Sequence, residues 1–374
     1  MSFRGVGCAV AALLATQPAL LAQAAKTPRH RVANFESLPQ APVPNDPLEL
    51  VTGDAQPVQN AEQRAVATGL LKKARDATNV RAYAYDLKTT FVSSGASEGA
   101  WSLEDTSPSR GVYRWTAQGP SYSATNLYSN ELLYGNQAAG TMPLRLAQVR
   151  AAIFFAYQEF GPYATLRTAT GSLNGAEVSC VLVSHSGLNN LPAGARRWEE
   201  SEYCMDSKSG VLMRYSPVPG VFVSYDYTNA FHFHDKAIPG KFTITIGGQS
   251  VAEARTESVK DPGAMDPALF QPAGLEKIGV GSLMTRPWKI RTTASGSGNT
   301  QGALQFVVLD GMVTPDGQMG EVQVVASSNA ALNQSALDKA AAFRGWQTAE
   351  DAQPGATPLS HEVFFTVQFV PSEP

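Results

Sequence analysis

The chain has 374 residues, which is enough for two domains that each bury a core of their own. Only 16% of the residues are charged and 43% are hydrophobic, a balance that excludes wholesale disorder. The formal net charge of −3 excludes a general attraction to polyanions, so we expect no nucleic-acid partner.

The first residues have the pattern of a cleavable secretory signal peptide. Arg4 precedes an apolar run over residues 5–21, and the small-x-small triplet Ala22-Gln23-Ala24 follows. A membrane-spanning helix needs about 20 apolar residues, whereas this run is shorter and contains Pro18. We therefore expect residues 1–24 to be removed and the mature protein to lie in the periplasm or cell envelope of a bacterium. The alternative is an uncleaved N-terminal anchor.

The cysteines fit an exported protein. Cys8 would leave with the signal peptide, so Cys180 and Cys204 remain as a pair in an oxidising compartment. We predict a Cys180–Cys204 disulfide, which the chain-entropy estimate makes worth ~3 to 4 kcal/mol for a loop of this size. Two buried free thiols are the alternative.

The mature chain begins with an extended segment and a helix. Residues 25–60 contain repeated prolines without apolar periodicity and predict a tether. Val66, Leu70 and Ala74 then follow the spacing of a helix with one apolar face.

From about Tyr83 the apolar period changes from helical spacing to alternation, which predicts strands. Turn sequences such as Asn174-Gly175 and Ser209-Gly210 separate them, and a second helix is expected over 144–155. Residues 61–271 thus predict one large, mainly antiparallel sheet domain with few helices. The expected strands are 83–91, 101–103, 112–115, 121–128, 131–134, 165–170, 177–184, 198–206, 211–215, 221–234 and 241–246.

The C-terminal part predicts a second, smaller domain. Residues 272–301 are rich in Gly, Ser and Thr and indicate a linker. Residues 302–370 follow the order strand, Asp316-Gly317 turn, strand, helix, strand.

Two patterns are candidates for catalytic or metal chemistry. Gly95 to Gly99 matches G-x-S-x-G around Ser97, but the strand-like residues that follow favour a hairpin turn over a nucleophile elbow. His232 and His234 could clasp zinc from one strand face, yet no third ligand has recognisable spacing, so solvent-facing histidines are expected.

The remaining patterns also favour a protein without catalysis. Glu199, Glu200 and Glu202 indicate a solvated strand edge. Gly279-Val280-Gly281 lacks the surrounding βαβ unit of a dinucleotide site, and no P-loop sequence is present. We predict no catalytic residue, metal or cofactor.

The last seventy or so residues resemble the C-terminal domain of TonB-type energy transducers. The resemblance rests on Asp316-Gly317, Ala326 to Asn329, Leu332-Asn333 and Trp346 to Ala349. It implies a small binding module that pairs an exposed strand with an extended segment of a protein partner such as an outer-membrane receptor. A dimerisation module is the alternative. The implied edge strand carries His361, Val363, Phe365, Val367 and Phe369.

Residues 61–271 are similar in outline to the LolA-type lipoprotein carriers. The outline consists of an opening helix, a meander with Trp101, Tyr113 and Trp115, and an ending at Asp266 to Phe270. This resemblance implies a half-open antiparallel barrel whose concave aromatic face holds acyl chains or another apolar ligand, with ordinary core packing of those aromatics as the alternative.

Together these patterns predict an α+β protein with a large, half-barrel-like antiparallel domain and a small ββαβ domain of the TonB C-terminal type. We expect a non-catalytic periplasmic binding protein that contacts a protein partner through its C-terminal module, in connection with outer-membrane transport. The alternative is a carrier or chaperone of lipid or lipoprotein acyl chains.

Overall fold

The computed structural model describes residues 55–136, 141–154, 156–157, 160–184, 200–280, 287–296, 305–314, 317–343 and 360–371. The predicted signal peptide, most of the predicted tether and the Trp346 to Ala349 motif lie outside these ranges. Three α-helices occur in them: α1 (Ala61–Thr78), α2 (Leu144–Phe154) and α3 (Asn333–Ala342). No helix in the described ranges has both the length and the apolar character that a membrane crossing requires.

Strands dominate the described chain, as the sequence predicts. They are β1 (Gln56–Pro57), β2 (Tyr85–Ser93), β3 (Gly99–Ser109), β4 (Val112–Gln118), β5 (Ser123–Ser129), β6 (Leu132–Gly135), β7 (Thr165–Leu173), β8 (Ala176–Ser184), β9 (Ser201–Asp206), β10 (Leu212–Ser216), β11 (Val221–Asp226), β12 (Phe231–Phe233), β13 (Lys236–Ile238), β14 (Lys241–Ile246), β15 (Gln249–Lys260), β16 (Glu276–Val280), β17 (Trp288–Gly296), β18 (Gln305–Val313), β19 (Met319–Ser327) and β20 (His361–Pro371).

Fourteen of the strands form one antiparallel sheet, in the order β1-β7-β8-β9-β10-β11-β14-β15-β2-β3-β4-β5-β6-β16. Two meanders, β2 to β6 and β7 to β11, meet through β14 and β15, because β15 pairs with β2 from Ala252↔Ser93 to Lys260↔Asp86. The β7–β8 hairpin turns at Asn174 and Gly175, whose φ angles of 51° and 80° are those of a type I′ turn. The predicted mainly antiparallel sheet is confirmed.

The inner face of this sheet is covered by α1 and α2. Burial alternates along β2, so that Tyr85, Leu87 and Phe91 point inward while their neighbours are more exposed. Ala67 and Leu71 of α1 join the core that holds Phe91. Asn60 caps the first turn of α1, because its side chain accepts a hydrogen bond from the Gln63 amide at 2.9 Å.

The second sheet has the order β17-β20-β18-β19, and α3 packs on one of its faces. Along β18, Val307 and Leu309 belong to the core that also holds Ala336, Leu337 and Ala340 of α3. Val308 and Asp310 point to the opposite face, because successive side chains alternate in a strand. Both faces are therefore buried, and seven consecutive residues of β18 from Val307 onward are inaccessible to solvent.

The prediction that residues 361–370 form a free edge is wrong. β20 is interior: it pairs in parallel with β17 from Trp288↔Val363 to Gly296↔Pro371, and antiparallel with β18 on its other side. His361, Val363, Phe365, Val367 and Phe369 are all buried. The physical reason is that part of the predicted linker pairs with them. Residues 272–301 connect the two sheets and supply a strand to each, β16 and β17.

The two sheets pack directly on each other. Val221 and Ile246 of the large sheet, with Val218 of the β10–β11 turn, form one apolar cluster with Val308 and Phe364 of the small sheet. Beside this cluster, α2 makes polar contacts with the small sheet. The Leu144 amide at the start of α2 donates to Glu321 Oε2 at 3.1 Å, so a side chain of β19 satisfies one of the free amides of that helix end.

Candidate functional site

A cavity of about 1220 Å³ lies between the inner face of the large sheet and helices α1 and α2. Its lining comes from strands that are distant along the chain, including β2, β4, β9, β11 and β14. These strands surround one space because the β15–β2 pairing brings the two meanders into a single sheet. The cavity exceeds the roughly 300–1,000 Å³ typical of small-molecule sites.

Ten of the described residues that line the cavity are aromatic. Several are stacked with a neighbour, for example Tyr157 and Tyr203 with centroids 5.9 Å apart, or Tyr113 and Tyr128 at 5.1 Å. Because rings are large and rigid, such a wall offers broad apolar contact at little entropic cost. The aromatic residues that line it are Tyr85, Tyr113, Tyr128, Phe154, Tyr157, Phe160, Tyr203, Tyr225, Tyr227 and Phe242.

Three hydroxyl groups of the wall hydrogen-bond within the protein. Tyr225 donates to the Ala152 carbonyl at 2.8 Å, Tyr227 to the Leu212 carbonyl at 3.0 Å, and Tyr85 to Asp105 Oδ1 at 2.6 Å. Burial raises the pKa of all three phenols above the ordinary value, so they stay neutral at physiological pH. These rings therefore require neither a hydrogen bond nor a counter-charge from a ligand.

The charged side chains that line the cavity are mostly basic. Lys72 and Arg75 of α1 and Arg110 of the β3–β4 turn are exposed, whereas Arg81 is half-buried. Asp76, the acidic residue among the described lining residues, pairs with Arg75 at 3.4 Å. The cavity thus combines a buried aromatic wall with a basic rim, a name we keep for Lys72, Arg75, Arg81 and Arg110.

A buried ion pair supports the wall from behind. Arg150 Nη2 donates to Asp105 Oδ2 at 3.1 Å, and neither side chain is exposed. The Arg150 guanidinium also lies 3.9 Å from the ring centroid of Trp115 and 5.6 Å from that of Phe154. Burial lowers the pKa of Arg150, and the negative charge of Asp105 opposes that shift.

The candidate catalytic serine lies in a hairpin turn. Ser97 belongs to a short 3₁₀ turn between β2 and β3, and its carbonyl accepts a hydrogen bond from Trp101 Nε1 at 3.0 Å. A strand follows it, not the helix that a nucleophile elbow needs. The hairpin interpretation is confirmed.

The two candidate zinc ligands are exposed, as predicted, but they do not share a strand face. His232 lies in β12, while His234 follows the strand with a φ of 53°. His234 Nε2 lies 2.8 Å from Asp261 Oδ1, and its ring stacks on Tyr83. Both histidines lie outside the residues that line the cavity.

The predicted disulfide is present. Cys180 and Cys204 are directly opposite each other on β8 and β9 and are bonded. Within the described ranges, the group of side chains with metal-ligand geometry is formed by these two sulfurs and Glu202. Because both sulfurs are in the disulfide, they are not thiolate ligands for a metal.

The prediction that the acidic segment next to Cys204 forms a solvated strand edge is wrong. Glu200 and Glu202 are fully buried, not on a solvated edge, and Glu199 lies outside the described residues. Glu200 accepts two hydrogen bonds from Arg167, at 3.0 and 2.6 Å. A bidentate partner makes such burial tolerable, and sequence alone does not reveal a partner 33 positions away.

Sequence reasoning also missed the basic rim and the Arg150–Asp105 pair. The one local signal was on α1, where Thr68, Lys72, Arg75 and Asn79 recur at helical spacing and all line the cavity. In the sequence this row is indistinguishable from an ordinary solvated helix face.

No protein-family model matches the sequence, and no curated protein matches it. The resemblance to TonB-type transducers therefore stays a prediction. Among solved structures, the chain is similar to a LolA superfamily protein from Nitrosomonas europaea, at 11% identity and a TM-score of 0.38. The match covers 55% of this chain and 97% of that one. At this level the likeness is weak, and the site has to be interpreted from its own residues.

Proposed function

We propose that this protein is a non-catalytic carrier that holds an apolar ligand, such as a lipid or lipoprotein acyl chain, in the cavity of its large sheet. The observation that carries the proposal is the cavity of about 1220 Å³ with its wall of aromatic rings. Tyr85, Tyr225 and Tyr227 hydrogen-bond within the protein, which suits a ligand with no polar groups to offer.

The energetics favour a long chain. Each methylene that leaves water contributes about 0.8 kcal/mol, so a chain of about twelve carbons would gain on the order of 10 kcal/mol. Association costs roughly 4 to 15 kcal/mol, which leaves little for a shorter chain. The cavity is therefore suited to long acyl chains and not to small apolar molecules.

The test uses Gly69 of α1, which lines the cavity and has no atom within 4 Å of the position that a Cβ would occupy. Gly69→Trp adds an indole at the cavity lining without a backbone clash, and Gly69→Ala is the matched control. Delipidated protein is titrated with monomyristoyl glycerol, a neutral single-chain lipid. We expect saturable binding by the wild type and the alanine variant and strong loss in the tryptophan variant. Equal binding by all three proteins, or by none, would overturn the proposal.

We also propose that the carrier acts in the bacterial cell envelope after removal of residues 1–24. The apolar run with its small-x-small site supports export, and the disulfide fits an oxidising compartment. N-terminal sequencing of protein from a native host should begin at Ala25. A chain that still carries Met1 would contradict this assignment.

A protein-binding role for the C-terminal sheet is the second candidate. Its support is the strand–strand–helix–strand order of β18, β19, α3 and β20, together with the exposed Arg291 and Thr293 on the outer strand β17. A photoreactive residue at position 293 should crosslink an outer-membrane partner, and one at the exposed Val92 of β2 should not. Crosslinking of that partner from neither position would count against this role.

A further inference from the structure

The basic rim is unexpected in a chain whose formal net charge is −3. Four basic side chains and the single acidic Asp76 line the described part of the cavity. We propose that the cavity selects an amphiphile with an anionic headgroup, whose chain lies on the aromatic wall while its acidic group lies at the basic rim. This inference rests on the proposed carrier function and names the ligand class.

Different faces of helix α1 lie against the core and along the cavity. Ala67 and Ala74 are buried in the core, whereas Lys72 and Arg75 line the cavity from exposed positions. Residues three or four apart lie on one helix face, so both cations are presented in the same direction. A charged headgroup held there keeps contact with water and avoids the cost of complete desolvation.

Arg81 connects the rim with the aromatic wall. Its guanidinium carbon lies 4.8 Å from the ring centroid of Tyr113 and 4.4 Å from that of Phe154. These two rings restrict the side chain, so less rotamer entropy is lost when it binds. Guanidinium groups pair with carboxylates and phosphates through two parallel hydrogen bonds. Arg81 is therefore suited to an acidic group that lies next to an apolar chain.

A second guanidinium, that of Arg150, lies at this end of the cavity. The Arg81 guanidinium lies 4.4 Å from the ring centroid of Phe154, and the buried Arg150 guanidinium lies 5.6 Å from the same centroid. Asp105 pairs with Arg150 and offsets its charge, so the excess of positive charge comes from the basic rim. In a partly buried site such charges are screened less than at the surface. The field therefore favours an anion over a neutral or cationic headgroup.

The experiment compares two ligands with the same chain and different headgroups. Delipidated full-length protein is titrated at neutral pH with myristate, which is anionic, with neutral monomyristoyl glycerol, and with inorganic phosphate, which has no chain. We expect myristate to bind ~10-fold more tightly than monomyristoyl glycerol, the ratio that one charge-assisted hydrogen bond provides. Inorganic phosphate alone should bind far more weakly than either.

The Lys72→Gln/Arg75→Gln variant removes two rim charges at exposed positions, so folding is preserved. Binding of myristate should weaken about fivefold, since each exposed charge contributes ~0.2 to 1 kcal/mol, and it should weaken more than binding of monomyristoyl glycerol. Lys73→Gln is the matched control, because Lys73 is an exposed neighbour on α1 outside the cavity lining. It should leave both affinities unaltered.

The outcomes separate this inference from the carrier function. Equal affinity for both lipids, or a Lys72→Gln/Arg75→Gln variant that binds both as the wild type does, overturns the anionic class while the carrier function stands. Binding of neither lipid overturns the carrier function itself. If inorganic phosphate binds as tightly as myristate, the rim is a free-anion site and the amphiphile assignment is wrong.

Discussion

Arg150 of α2 and Asp105 of β3 form an ion pair in which neither side chain is exposed, with Nη2 and Oδ2 3.1 Å apart. Tyr85 donates a second hydrogen bond to the same carboxylate at 2.6 Å. The pair fixes α2 against the sheet directly behind Phe154, one of the rings of the cavity wall. Its integrity therefore bears on both the stability of the fold and the shape of the cavity.

Asp105→Asn should destabilise the protein by about 3–5 kcal/mol, because it leaves the Arg150 guanidinium buried without a counter-charge. The loss is measured by chemical denaturation. Glu104→Gln is the control: Glu104 is the neighbour of Asp105 on β3, and its ion pair with Lys88 is exposed, so little change is expected. Equal effects of the two variants would contradict the importance assigned to the buried pair.

Packing of the small sheet against α2 should weaken as the pH rises. Burial raises the pKa of Asp310 to about 6 and also raises that of Glu362, while Arg145 of α2 attracts both carboxylates and Gln148 bonds to both. The partly buried Glu321 of β19 adds further negative charge. A raised pKa in the folded state means that the stabilising proton is bound below about pH 4 and is lost as the pH rises through about 6.

Glu362→Gln should flatten this dependence. The wild-type protein should lose on the order of 1–3 kcal/mol of stability between about pH 4 and pH 7, at 1.36 kcal/mol for each unit of pKa shift. Thermal unfolding measures this loss. The variant should lose less and should be at least as stable as the wild type at the upper end. Glu257→Gln, at an exposed position of β15, is the control. A wild-type slope in the Glu362 variant would refute the assignment.

The disulfide should contribute about 3 kcal/mol, because it closes a loop between residues 24 positions apart. Reduction of the wild type should lower its denaturation midpoint by the corresponding amount. The Cys180→Ser/Cys204→Ser variant should resemble the reduced wild type and should not respond to reductant. A wild type that is insensitive to reductant would show that the bond is not formed.

Gly220 should be the least replaceable turn glycine at the contact between the sheets. A Cβ at this position would overlap the Val325 carbonyl of β19, and its φ is 86°. Gly248 has a similar φ of 79° but no atom within 4 Å of the Cβ position. Gly248→Ala should thus cost about 1–2 kcal/mol for the left-handed backbone alone, and Gly220→Ala should cost roughly 1–3 kcal/mol more. Equal melting temperatures would argue against this contact.

Local patterns in the sequence predicted much of the large sheet but not the pairing that joins its two meanders. Alternation identified β2, and Asn174-Gly175 identified the β7–β8 hairpin, because both signals lie within a few residues. β15 was not predicted, although it is the strand that joins the two meanders. Its inward side chains include Ala252, Ala254 and Thr256, which are too small or too polar to give a clear apolar period.

The site was less predictable because it depends on contacts between distant segments. Arg81 and Phe154 are 73 positions apart in the sequence, yet their side chains stack. The wrong prediction that β20 is an edge strand also comes from a contact between distant segments. The alternating residues of β20 give no sign that β17 pairs with them. An alternating strand predicts two chemically different faces, whereas its neighbours are decided by the fold as a whole.

The central claim is that the cavity between α1, α2 and the large sheet carries an acyl chain. The most direct measurement is mass spectrometry of lipid extracted from protein that was purified from a native host without detergent. The account predicts a long-chain amphiphile in the wild type and in Gly69→Ala, and its depletion from Gly69→Trp. Wild-type protein without any acyl-chain ligand, or equal lipid in the tryptophan variant, would contradict it.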